Sequence, residues 1–335
     1  MATVVNENSQ VYYSGDYWNE LPRVLEYMSE NFTGDRTRWW TADFAERFCQ
    51  QPFQHALFLN CGNGWVEREF LDRGLVVKAT AFDYSNDLLK SAEEERGGRP
   101  ITYFQADANR VELEADQYDL VVNVASLHHV QYIDRICRML CRALKPGGLI
   151  VSCDYIGPSR NQYSRRHWSH IKSVNRSMPA AARKQPLRHP HLPTMLVMDP
   201  TEAIHSDLIM ETLARYFDII ERHDTGGGIA YELLTHNARL KELSPAELDP
   251  IVENVLRADR DYTRTGAVPQ MFSYFLARPR KASLDDSALL DRYRSEEEDR
   301  ELHAAQWRGA YSRRQYLMVL GWPLVARAAR VARLK

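Results

Sequence analysis

Between residues 56 and 153, short and continuously apolar runs alternate with stretches of helical periodicity, and the runs end on small or polar residues. Residues 56–59 stop at Asn60-Cys61-Gly62-Asn63-Gly64, 76–82 at Asp83, and 101–105 just before Asp107; 118–124 and 149–153 repeat the theme. Unbroken apolar runs of this length suit strands buried on both faces of a parallel sheet. Parallel neighbours need crossover connections, and residues 65–73, 85–95 and 130–144 are spaced to supply them as helices. Ser85 is placed to cap the second helix, Gly74 to stop the first, and Lys145-Pro146-Gly147-Gly148 to turn the chain before the fifth strand. The alternation resumes with a helix over 200–216, a strand over 217–223, a mainly helical 229–258 and a last strand over 271–277. The pattern predicts an α/β chain whose doubly wound sheet has about seven strands, the last one antiparallel.

Around this core the texture differs. Residues 1–50 are rich in aromatics and read as a helical N-terminal cap; 51–156 form the core proper; 157–199 read as an insertion whose first 42 residues, 157–198, carry eight basic residues and no acid; 200–280 complete the α/β unit. The tail, 281–335, passes from an acidic stretch to one with seven basic and no acidic residues, where Arg327, Arg330 and Arg333 recur among apolar neighbours. That spacing predicts an amphipathic basic helix, suited to an anionic membrane surface, a partner or a second subunit, or simply to packing with a solvated face.

A chain of 335 residues buries enough surface to need no disulfide or metal staple. Its net charge of −2 argues against a polycation built to coat nucleic acid. The five cysteines form no CxxC and no zinc spacing; Cys137 and Cys141, four apart, read as core residues of one helix face, with a redox or metal pair as the alternative. The first 30 residues hold no apolar stretch behind a basic start, and 316–326 is short and broken by Gly321 and Pro323. A cytoplasmic protein is expected, with peripheral contact at the inner membrane face as a further role for the tail.

Open α/β sheets take ligands at the carboxyl ends of their strands, where strand order reverses. Three features fall on that edge. The glycines of 60–64 let backbone approach a ligand and lead into a helix N-terminus. Asp83, about 20 residues on, suits the two hydroxyls of a ribose. Asp107-Ala108-Asn109 offers a carboxylate to the exocyclic amine of an adenine. Together they point to an adenosine-type ligand. A dinucleotide fingerprint would be GxGxxG, but Trp65 and Glu67 follow Gly62 and Gly64, which suits a zwitterionic tail better than a pyrophosphate.

The order of Leu57-Phe58-Leu59-Asn60-Cys61-Gly62-Asn63-Gly64, Asp83-Tyr84-Ser85, Asp107-Ala108, Ser126-Leu127-His128-His129-Val130 and Leu144-Lys145-Pro146-Gly147-Gly148 resembles the class I S-adenosylmethionine-dependent methyltransferases of the type-11 sort. The further segments 154–160 and 199–203 resemble a bacterial group associated with surface-glycan assembly. The resemblance implies a Rossmann-like fold with S-adenosyl-L-methionine as cofactor. It places Gly62 and Gly64 under the methionine tail, Asp83 at the ribose and Asp107 with Ala108 at the adenine. Asn60, Tyr84, Asn123 and Val124 complete the expected cofactor-binding set. Where the family often has an acid, this chain has Phe58; Asn60 and Glu67 stand near enough to compensate.

Methyl transfer to oxygen needs the acceptor's proton removed, best by a group titrating near neutrality. His128 and His129 follow the fourth strand and are the catalytic candidates, with packing under the loop as the plainer role. Tyr13, Trp18, Tyr155 and Arg160 are the candidate substrate contacts, and no metal site is expected. The sequence thus predicts O-methylation of a sugar, a glycan precursor or another small hydroxyl compound, and the basic 157–198 stretch reads either as lining for an anionic acceptor or as a solvated lid. An RNA methyltransferase and a non-catalytic cofactor-binding module are the alternatives. Gly226-Gly227-Gly228 reads either as a close approach to substrate or as a strand-to-helix turn.

Overall fold

The strongest apolar runs do become the central strands. The computed structural model describes residues 15–192, 195 and 199–292. Candidate Tyr13 and the basic end of the tail lie outside the described residues. Strands β1 (Phe53–Phe58), β2 (Val76–Asp83), β3 (Ile101–Gln105), β4 (Tyr118–Val124), β5 (Leu144–Tyr155), β6 (Phe217–Thr225) and β7 (Phe272–Pro279) form one sheet in the order β3-β2-β1-β4-β5-β7-β6. The first five run parallel, and β7 is antiparallel to both neighbours. This is the Rossmann-like methyltransferase architecture, and its order reverses between β1 and β4.

Helices cover both faces. On one lie α1 (Pro22–Thr33), α2 (Trp40–Phe48) and α3 (Trp65–Asp72), packed through Phe32, Trp40, Phe44 and Phe70 onto Phe58 and Ala79. α4 (Asn86–Glu95) adds Leu89 to the same cluster; opposite lies α5 (Ile133–Ala143), whose Ile133, Ile136, Cys137, Leu140 and Cys141 recur at helical spacing and are all buried. Cys137 and Cys141 are therefore two free thiols in a core face. Ser85 caps α4 by accepting from the Leu88 N–H at 3.3 Å, and Gly74 takes the left-handed φ of +68° just past α3.

Two local expectations change. The Lys145–Gly148 turn lies inside β5: Tyr118 pairs with Leu144 and Leu120 with Leu149, so the extra residues bulge out of a continuing strand. The helix expected over 200–216 forms only as α7 (Ile209–Tyr216), after α6 (Arg165–Ser177) in the basic segment. Upstream, Asp199 Oδ1 accepts from both the N–H and hydroxyl of Thr201, and Ala203 has φ +48°, so local side-chain bonds and a left-handed residue replace helix.

The triple glycine is a turn. It precedes α8 (Ala230–Leu234), whose first N–H groups, with that of Gly227, donate to Asp259 on α9 (Pro245–Arg264). A Cβ on Gly226 would meet Asp259 Oδ2 at 1.9 Å and one on Gly228 would meet Val268 at 2.6 Å, so these glycines admit neighbouring side chains.

Candidate active site

At the carboxyl edge of β1–β5 lies a cavity of about 790 Å³. One end is made of three consecutive loops. After β1, Asn60 (φ +41°), Gly62 (φ +58°) and Gly64 (φ +80°) fold the chain tightly. Asp83 ties this loop to the next: Oδ2 accepts the Gly62 N–H at 2.9 Å and Oδ1 accepts the Ser85 N–H at 2.8 Å. A carboxylate has about four acceptor positions, so capacity is left for hydroxyls. Burial raises the Asp83 pKa, and the Ser85 and Gly62 amides pull it back. After β3, Asp107 Oδ1 accepts from the backbone and side chain of Asn109, whose own Oδ1 takes the Gln131 and Tyr132 N–H groups.

Asn60, Gly62, Asp83, Tyr84, Asp107, Ala108 and Val124 all line the cavity. Gly64 does not line it; a Cβ there would meet the Tyr103 hydroxyl at 2.5 Å, so its role is close packing. Asn123 does not line it either. Its Nδ2 donates to Ser152 Oγ and Asp154 Oδ2, both at 2.7 Å, and its Oδ1 accepts from the Ser126 hydroxyl at 2.7 Å. It is a buried strut behind the wall.

The other end is built around His128 and His129, whose rings lie 4.0 Å apart. His128 Nδ1 is 2.5 Å from Asp154 Oδ1, and its Nε2 lies 3.9 Å from Glu202 Oε2. Burial alone would lower the His128 pKa, but Asp154, then Glu202 and Asp199, raise it to about 9. His129 goes the other way: burial and then the charge of His128 push it well below the usual imidazole value. Its Nδ1 is 3.0 Å from Thr201 Oγ, which donates onward to Asp199. The neighbouring rings are thus held in different charge states at neutral pH, one cationic and one neutral. Donor atoms of His128, His129 and Glu202 lie within 4.8 Å of one another.

Rings wall the rest. Trp18 stacks on Phe272 (5.2 Å, 26°), and Tyr155 and Tyr231 each approach Phe272 at 5.4 Å. Trp18, Tyr155, Tyr231 and Phe272 all face the cavity. Arg160 does not. Its side chain is buried, and Nη1 donates to the Pro200 and Glu202 carbonyls at 2.5 and 3.2 Å, so it braces the 199–203 loop. Of the eight basic residues of 157–199, Lys184 is the one that lines the cavity, and it bonds the carbonyl and carboxylate of Glu232.

Asp154, Thr201, Glu202 and Glu67 were not singled out as catalytic or substrate residues from sequence. The available signal was an acid ending an otherwise apolar fifth strand; nothing local showed that residues 199–202 fold back onto His129.

Residues 57–152, from β1 to β5, match the family model described as a methyltransferase domain. The chain carries a class I S-adenosylmethionine-dependent methyltransferase domain. This methyltransferase is 22% identical over 233 residues to the ubiquinone/menaquinone biosynthesis C-methyltransferase of Pseudomonas aeruginosa, covering 67% of this chain and 89% of that one. It is 21% identical over 167 residues to the demethylmenaquinone methyltransferase of Desulfitobacterium hafniense, covering 48% of this chain and 66% of the relative, just under two thirds. Among solved structures, an S-adenosylmethionine-dependent methyltransferase from Mesorhizobium loti is similar with a TM-score of 0.46 and 21% identity, over 71% of this chain and 96% of that one. Among the described residues, no helix is long and apolar enough to cross a membrane.

Proposed function

We propose that this methyltransferase moves the sulfonium methyl group of S-adenosylmethionine onto a hydroxyl of a small ring-shaped acceptor, with His129 taking the hydroxyl proton. The observation that carries this reading is the pair of adjacent histidines at the cavity wall, their rings 4.0 Å apart, His128 held by Asp154 and His129 by Thr201. In the step, the acceptor oxygen attacks the methyl carbon, the carbon–sulfur bond breaks with its electron pair left on sulfur, and the proton passes to neutral His129. The donor is already activated, so the protein's work is positioning, exclusion of water and proton removal. His128, kept cationic by Asp154, favours the developing negative charge on oxygen.

The aromatic wall supports a flat or ring-shaped acceptor, and the sugar or glycan precursor expected from sequence is one such ring. An anionic acceptor loses support, because Asp199, Glu202 and Glu232 line the cavity against the already paired Lys184. A second reading, methylation of a ring carbon, is favoured by the same wall and by the quinone-directed names of the relatives; the same base would serve it. RNA as acceptor draws nothing from the cavity wall.

The test is turnover of methyl-labelled donor against a panel of sugar hydroxyls, phenols and quinols, with the methylated atom located by NMR. Label on a ring oxygen supports the first reading and label on carbon the second. Tight donor binding with no transfer to any acceptor supports a non-catalytic module.

A further inference from the structure

Glu67 is the third residue of α3, lines the cavity and is fully buried. Neither of its carboxylate oxygens has a hydrogen-bond partner. The Tyr103 hydroxyl stands near enough to favour the charged form, yet it too is buried without a hydrogen bond. The adjacent guanidinium of Arg68 is committed elsewhere, donating to the Asn63 carbonyl at 2.7 Å and to Glu95 at 2.6 Å. Burial, with the charge of Asp83 added, lifts the Glu67 acid to about 7. A buried carboxylate whose oxygens accept no hydrogen bond is expensive to keep charged, and a cationic ligand group beside it would offset that cost.

The surroundings say which cation. Asp83, the ribose candidate, holds the same glycine loop that leads into α3. The N-cap of α3 is Gly64, with no side chain to cap the first-turn amides. An amino-acid tail extending from the ribose along this loop meets uncapped N–H groups, suited to its carboxylate, and then an orphaned acid, suited to its ammonium. We propose that Glu67 receives the α-ammonium of the donor's amino-acid tail and so sets the affinity for that tail. This rests on the methyl-donor reading above.

The test compares two ligands on wild type and Glu67→Gln by calorimetry: S-adenosylhomocysteine and methylthioadenosine, the same nucleoside without the amino-acid tail. Glu67→Gln should weaken S-adenosylhomocysteine roughly ten- to hundredfold, as for a lost charged hydrogen bond, and leave methylthioadenosine within about twofold. Equal loss for both ligands would mean a structural role, and no loss for either would mean that the ammonium sits elsewhere; both outcomes overturn the proposal. A wild-type arm stands even if the variant misfolds. The S-adenosylhomocysteine analogue without its α-amino group should bind wild type at least about tenfold more weakly than the parent, and equal binding sinks the proposal. Wild type that binds neither nucleoside refutes the methyl-donor reading instead, so the two failures are distinguishable.

Discussion

The two ends of the cavity are made in different ways. The donor end is assembled from loops after β1, β2 and β3, and its key bonds join residues about 20 apart or fewer, such as Asp83 to Gly62 and to Ser85. The acceptor end depends on bonds that span the chain: His129 to Thr201 across 72 residues and the Trp18 N–H to Thr235 across 217. A donor common to many enzymes can be gripped by one contiguous unit. An acceptor peculiar to one enzyme is gripped by whatever the insertions and terminal segments bring over the sheet edge. Substitutions at the two ends should therefore separate cleanly in kinetics.

The largest separation is expected at His129. His129→Asn should lower the transfer rate by about 10²- to 10³-fold, the range for loss of a positioned base, while donor affinity stays unchanged. Rapid-quench measurement of single-turnover rates checks it; an unchanged rate would transfer the base role away from this ring.

Next comes the charge on His128. Its folded pKa, about 9, lies above the unfolded imidazole value. The resulting stabilisation is fully present below about pH 6.5 and is lost as pH rises through about 9, a difference of about 3 kcal/mol. Denaturant midpoints should therefore fall between pH 7 and pH 10. Asp154→Asn should flatten that slope, because it removes the main group raising the pKa. A parallel slope in the variant would show that another group titrates.

At the donor end, Asp83→Ala should weaken S-adenosylhomocysteine by about tenfold or more, through lost ribose acceptors and a loosened Gly62 loop. The acceptor KM should not change. Loss at both ends together would break the division between them.

The same contrast explains what could be read without coordinates. The alternation of apolar runs and helices gave the sheet, because period and burial are local properties. Asp83, Asp107 and the glycine loop were visible because each sits at a strand tip. Gly64 in its loop and Asn123 near the end of β4 lie at the expected sheet edge, but only packing shows that one admits Tyr103 and the other props Asp154. Arg160 looked like a substrate contact because its segment is basic; its backbone φ of +56° and its bonds to residues 200 and 202 turn it inward. Glu202 and Thr201 were invisible as site residues, because a left-handed Ala203, not a periodic helix, carries them to His129.

The smallest effect tests whether rings or charges define the acceptor end. Phe272 is the shared neighbour of Trp18, Tyr155 and Tyr231, so it organises the wall without being its most buried member. Phe272→Leu keeps apolar volume but removes the stacking surface, worth about 0.5–1.5 kcal/mol per ring pair. The acceptor KM should rise about three- to tenfold, with donor affinity and limiting rate little changed. Lys184→Gln is the counterpart. Lys184 already satisfies Glu232, so its removal should leave the KM of a neutral ring acceptor within about twofold. If Lys184→Gln raises KM more than Phe272→Leu does, the acceptor is anionic after all and the basic segment, not the aromatic wall, selects it.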